Sequence, residues 1–211
     1  LGNYQMENAM VVLDLMDCLI RRGFQISEDA IQAGLAEARW PGRFEVLSRD
    51  PLLIVDGAHN PNGVEALVET IRAYFPNQKI NFVMGVMRDK DYHTMLRLIA
   101  PYAARFITEL PDTKRALDPE ALKAEIRTYF DGPVETAESV TAAVQRAMEI
   151  ARTENREHPA EDAAAPGTSS TSSICSVHTD CAKAAASSIG TITLCFGSLY
   201  QVADIRRCFL R

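Results

Sequence analysis

Apolar positions recur at helical spacing through the first forty residues, and from Phe44 onward short apolar runs alternate with amphipathic stretches. Met6, Met10, Leu13, Met16 and Ile20 share one face of a helix expected over residues 4–22, a pattern that predicts burial of that face. Gly23 closes this helix, as glycine often does one step past a C-terminus. Ser27 is placed to cap a second helix, with Glu28 and Asp29 in its first turn, ending near Arg39. Beyond it, strands are expected at 44–48 and 52–55, separated by a turn at Arg49, Asp50 and Pro51. Helix 61–75 stops before Pro76, strand 80–86 follows, and Asp89 to Asp91 open a helix to about Ala100. Strand 105–109 comes next, then a helix over 119–130 opened by Asp118 and Pro119. A short strand at 133–136 precedes a helix capped by Glu138 or Ser139 that runs to about Arg152. A last strand over 189–195 and a last helix over 199–207 complete the pattern. Strand and helix in alternation predict an α/β fold, a mostly parallel sheet with helices on both faces.

Residues 153–188 differ in kind: Ala, Ser and Thr dominate and no apolar period is sustained. They read as a flexible insertion before the final strand. Cys175, His178 and Cys181 lie three apart within it, but a zinc site needs a fourth ligand and a supporting fold, so the loop reading is preferred.

The stretch LLIVDGAHNPNG, Leu52 to Gly63, is the most informative chemically. Four apolar residues suit a strand covered on both faces. Asn60 and Pro61 then provide an N-cap and a first-position proline. Asp56 and His59 therefore fall between the carboxyl end of a strand and the amino end of a helix. Open α/β sheets bind ligands there, and free helix N–H groups favour anions. The expectation is that these two side chains project together into a ligand cleft at that edge. The plainer alternative is that Asp56 caps the turn and His59 is packed.

The segment DGAHNPNG (Asp56 to Gly63) resembles the DGAHNP motif of folylpolyglutamate synthases and bifunctional dihydrofolate synthases, within the Mur ligase superfamily. LGNYQMENA at Leu1 to Ala9, WPGRFE at Trp40 to Glu45 and GSLY at Gly197 to Tyr200 resemble three further segments of that family, in the same order. The resemblance implies a Rossmann-like glutamate ligase domain over 41–211, preceded at 1–40 by the end of an ATPase domain. It implies ATP-dependent ligation of L-glutamate to a folate or dihydropteroate carboxylate through an acyl phosphate. It also implies nucleotide contacts from Asn8, Arg43 and Asp56, with Asp56 and His59 as catalytic candidates. His59 is a candidate for positioning nucleotide or glutamate, or for carrying a proton from the amine. Ser198 is a candidate for the glutamate carboxylate or, equally simply, a plain N-cap. Asp89, Lys90 and Asp91 are candidates for rim contacts, with a solvated loop the safer reading, while nothing lifts His93 or His158 above surface residues.

The chain opens in the middle of a family pattern and contains no G-x-x-x-x-G-K-[ST] loop. The resemblance therefore implies that the phosphate loop and the Mg2+ ligands lie upstream, and that this chain alone is inactive. The rivals are a muramyl-type ligase, opposed by Gly57 and the WPGR segment, and a non-catalytic nucleotide-binding Rossmann module. A net charge of −6 argues against a nucleic-acid or acidic-membrane partner, and five scattered cysteines argue against a disulfide framework. A monomeric, cytoplasmic enzyme is the resulting expectation.

Overall fold

Punctuation residues set the element ends throughout the computed structural model, which describes residues 4–157 and 190–209. Helix α1, Tyr4–Arg21, ends where the Gly23 N–H meets the Ile20 carbonyl and the Phe24 N–H reaches back to Leu19. The Ser27 hydroxyl accepts the Ala30 N–H to start α2, Glu28–Glu37. Strands β1, Glu45–Arg49, and β2, Leu52–Val55, form a hairpin around a cis Asp50–Pro51 peptide. Asn60 caps α3, Pro61–Tyr74, by accepting the Gly63 N–H, with Pro61 in the first turn. Strand β3, Ile80–Met84, leads to α4, Tyr92–Ile99, a 3-10 turn at Ala100–Tyr102, and β4, Ala103–Thr108. Asp118 caps α5, Pro119–Ile126, and β5, Val134–Thr136, follows. Helix α6, Val140–Glu157, β6, Ile192–Phe196, and α7, Leu199–Phe209, complete the described fold.

Among the described residues six strands form one sheet, in the order β1-β2-β6-β3-β4-β5. All neighbours are parallel except β1, which runs against β2 on the edge. The chain steps outward from β2 to β5 with α3, α4 and α5 on one face. It then returns through α6 on the other face and inserts β6 into the middle. Right-handed crossovers require this change of face when the direction of travel reverses. One core holds Phe82, Phe106 and Phe196, whose rings pack 5.4–5.5 Å apart, beneath α3 to α5. Each such ring contributes about 1.5–3 kcal/mol by leaving water. The opposite core joins Val55, Val83, Ile107 and Cys195 to α6 and α7.

Three expectations are corrected. The apolar face of α1 is not buried: Met6 is 71% and Met10 65% exposed, with Leu13 and Ile20 also open. Both faces of the sheet are already covered by α3 to α7, so no surface of this core remains for α1, which packs against α2. Helix α6 continues to Glu157, into the start of the expected insertion, and α5 stops at Ile126 rather than near Phe130. Residues 158–189, including His158, Cys175, His178 and Cys181, lie outside the described residues. Among the described residues no helix is long and apolar enough to cross a membrane.

Candidate functional site

The parallel strands deliver their next residues to a single edge: Asp56 after β2, Gly197 after β6, Gly85 after β3 and Glu109 after β4. The turn at 56–60 is clasped from two sides. The Asp56 N–H donates to the Cys195 carbonyl at 2.9 Å, and the Gly197 N–H donates to the Ala58 carbonyl at 2.8 Å, fixing the turn to the end of β6. From the other side, the Gly57 N–H donates to the Gly42 carbonyl at 2.7 Å.

Asp56 binds this clasp together. One carboxylate oxygen accepts the Phe44 N–H and the other the Ala58 N–H, each at 2.8 Å. Phe44 has φ 47°, a left-handed backbone that costs a non-glycine residue about 1–2 kcal/mol. The bond from Asp56 therefore holds a strained residue in place. Burial pushes the Asp56 carboxyl above its ordinary value, against the two N–H donors and the Arg43 charge, which pull it down. The side chain is 5% exposed. The expected joint projection of Asp56 and His59 into a cleft is thus corrected: the carboxylate turns inward, because Phe44, twelve positions earlier, and Ala58, in the same turn, each present an N–H that it accepts.

Arg43 and the turn do come together. A methyl group at Gly57 would sit 2.9 Å from the Arg43 Nη1, 2.6 Å from the Leu199 side chain and 3.2 Å from the Gly42 carbonyl oxygen. Only glycine lets the guanidinium lie across the turn with the start of α7 beside it. Arg43 remains half-buried, with its charge at the carboxyl edge of the sheet. His59 is also half-buried, and its Nδ1 lies 2.9 Å from the Gly57 carbonyl. A carbonyl can only accept, so Nδ1 carries the hydrogen and the neutral ring keeps its lone pair on Nε2.

The remaining candidates separate from this centre. The Ser198 hydroxyl accepts the Tyr200 N–H at 3.1 Å and the residue is 2% exposed, the geometry of an N-cap on α7. Asn8 lies exposed on α1, its amide bonded to Gln5. Asp91 caps α4, Asp89 pairs with Arg115, and His93 Nδ1 stands 2.7 Å from Glu125. Lys90 lies on the same loop, half-buried. Beside the turn, an open groove of about 450 Å³ is lined by Asp112, Leu199, Tyr200, Ala203, Asp204 and Arg207.

Two polar residues at this edge escaped the sequence pattern. Glu109 and Gln201 are both fully buried, and no side-chain polar atom of either has a hydrogen-bond partner. Burial, with the Asp204 charge adding to it, pushes the Glu109 carboxyl up to about 8. The available signal was an acid directly after an apolar strand, the same signature as Asp56. Among the described residues no group of three or more His, Cys, Asp or Glu side chains is arranged to hold a metal ion.

Residues 42–158 match the Mur ligase, glutamate ligase domain family. A probable bifunctional folylpolyglutamate synthase/dihydropteroate synthase of Halobacterium salinarum is 39% identical over 151 residues, which cover 72% of this chain and 17% of that protein. A dihydrofolate synthase/folylpolyglutamate synthase of Bacillus subtilis is 36% identical over 104 residues, 49% of this chain and 24% of that protein. The crystal structure of Mycobacterium tuberculosis folylpolyglutamate synthase complexed with ADP and AMPPCP superposes with a TM-score of 0.78 at 26% identity, covering 100% of this chain and 41% of that one. The chain thus spans well under half the length of the relatives it matches.

Proposed function

We propose, from the premise that this chain belongs to the Mur ligase family through its glutamate ligase domain, that it is the C-terminal part of a folylpolyglutamate synthase or bifunctional dihydrofolate synthase. Its reaction is the ATP-dependent joining of L-glutamate to a folate or dihydropteroate carboxylate in the cytoplasm, by an intact enzyme that is monomeric. Residues 1–40 are the end of the ATPase domain and 41–211 the glutamate ligase domain. The exposed apolar face of α1 supports that division, since this core has no surface to offer it.

The single observation that carries the proposal is the Arg43 guanidinium lying across Gly57 at the carboxyl edge of the sheet. In this reaction negative charge develops on phosphoryl oxygens, and a planar fork of N–H donors meets such oxygens bidentately. Arg43 is therefore the nucleotide-facing cation of this part of the enzyme. Asp56 acts as a positioning residue: it fixes Phe44 and the turn and sets its charge beside Arg43. Of the pair expected to be catalytic, His59 is the one left partly open to solvent, with Nε2 free to accept a proton from an incoming amine. Asn8 serves as an adenine contact through an amide that both donates and accepts. Ser198 holds the start of α7 instead of a glutamate carboxylate, because its hydroxyl is already used and buried. Among the described residues no three or more His, Cys, Asp or Glu side chains gather to hold a metal ion, and the resemblance assigns the magnesium ligands to the upstream part, so no step here runs through the ion.

The test uses this chain as it stands. Titrated with ADP, its Gly57, Ala58 and His59 amide resonances should shift, NAD should leave them unmoved, and Arg43→Ala should abolish the response. Incubated with ATP, a folate and glutamate, the chain should release no ADP. Unmoved resonances at millimolar ADP, or turnover by the chain alone, would overturn the proposal.

A further inference from the structure

Arg43 owes its place to the residues on either side of it. Phe44 is held through its N–H by Asp56, and Gly42 through its carbonyl by the Gly57 N–H. The Gly42 N–H is bonded as well: it donates to a Glu45 carboxylate oxygen at 2.7 Å. Glu45 opens β1 opposite Val55, so its side chain folds back across three positions and closes 42–45 into a small loop that contains Arg43. Gly42 has φ 71°, in the left-handed region that strains any side chain, and a methyl group there would sit 2.5 Å from Val202 Cγ1.

The second support of this loop comes from α7. Arg206, 161 positions after Glu45, donates through Nε to the Glu45 carboxylate at 3.2 Å. Helical spacing puts Leu199, Val202 and Arg206 on one face of α7. Leu199 lies against Gly57, Val202 against Gly42 and Arg206 against Glu45, so a single helix face meets the turn, the loop and the acid that closes it. An exposed ion pair contributes little, but here the side chains are only 32% and 24% exposed, and the acid also holds a backbone N–H. An ionised carboxylate has two oxygens and no donor, so it accepts the backbone N–H and the guanidinium N–H together, both as charge-assisted bonds.

We propose that Glu45 and Arg206 are positioning residues of the Arg43 site: Glu45 bridges the Gly42 N–H to α7, and the bridge fixes the direction in which the Arg43 guanidinium crosses Gly57. Arg206 holds the bridge from the helix side. The consequence for a bound nucleotide rests on the reading of Arg43 given above; the placement of the 42–45 loop does not.

The experiment follows amide hydrogen exchange of the full chain by NMR. The Gly57 N–H reports the bond to Gly42, and the Phe106 N–H, which donates to the Pro133 carbonyl at 3.0 Å, reports the core. In Glu45→Ala the Gly57 amide should accelerate about tenfold more than that of Phe106. Arg206→Met keeps most of the side-chain bulk and should fall between the native chain and Glu45→Ala. Glu45→Arg combined with Arg206→Glu restores a charge pair but leaves no acceptor at residue 45, so Gly57 should stay unprotected. Equal acceleration at Gly57 and Phe106 in Glu45→Ala, native exchange at Gly57 in Arg206→Met, or restored protection in the exchanged pair overturns the proposal. ADP affinity, read from the Gly57 to His59 amide shifts, gives the second arm: it should fall about fivefold or more in Glu45→Ala. Altered exchange with native ADP affinity overturns the role in directing Arg43. The expected exchange pattern in a chain whose native amides ignore ADP leaves the bridge standing and defeats the nucleotide reading instead.

Discussion

Replacing Asp56 by alanine removes the acceptor of two backbone N–H groups, those of Phe44 and Ala58, both bonded at 2.8 Å. A donor left unsatisfied inside a protein costs about 1–3 kcal/mol. Two of them, less the desolvation that the buried carboxyl no longer suffers, amount to about 2–4 kcal/mol. The strain at Phe44, φ 47°, is then held by less, so the 42–44 segment should relax away from Gly57 and carry Arg43 with it. Asparagine is the sharper probe: its oxygen serves one N–H, while its NH2 points a donor at the other, so about half the loss or more should remain. Urea unfolding of the native chain, Asp56→Ala and Asp56→Asn at one pH measures the difference directly. Loss of the ADP-induced shifts should accompany it in both variants. If alanine lies within about 0.5 kcal/mol of the native chain, Asp56 does not hold the clasp.

The Glu109 carboxyl, raised from 4.5 to about 8, stabilises the fold fully below about pH 4.5, and that contribution drains as pH rises through about 8. At about 1.4 kcal/mol per unit the whole swing approaches 5 kcal/mol; Glu109→Gln should flatten a stability profile measured by urea unfolding from pH 5 to 9. Gly57→Ala brings a methyl group against Leu199 and the unyielding Gly42 carbonyl, and should destabilise by about 1–3 kcal/mol while displacing Arg43, read as a lost ADP response. Gly85→Ala should be strongly destabilising alone and only partly rescued by Glu109→Ala, since Pro111 Cγ would still lie 2.8 Å from the new methyl, with a double-mutant coupling above about 1 kcal/mol; simple additivity would show that the two residues do not share the gap.

Most of the architecture was legible because parallel strands buried on both faces read as unbroken apolar runs, as in Leu52–Val55 and Ile80–Met84. Local caps marked the helices: Ser27, Asn60, Asp91 and Asp118 each accept an N–H from the turn they open. What stayed hidden depends on distant segments. The outward face of α1 obeys the same periodicity as a buried helix, and only the sheet's already covered faces show that this core does not take it. The place of Arg43 depends on Gly42 bonding to Gly57 across the clasp, a contact with no local signature.

The acids that end β2 and β4 show how far such a signature reaches. Each directly follows an apolar strand, and pattern alone gives them the same promise. Asp56 leaves its strand where Phe44 from the 42–44 segment and Ala58 from its own turn each direct an N–H toward it, so both its oxygens are satisfied and it becomes the fastening of the turn. Glu109 leaves its strand beside two glycines, which offer space but no donor, and opposite a helix that brings an amide and another acid. The first is held by backbone that the fold fixes once. The second has no partner for either oxygen, and its burial pushes the carboxyl up to about 8. A carboxylate's role at the end of a strand is therefore decided by the donors that the neighbouring strands and loops present, and that follows from strand order and register, which no single stretch of sequence contains.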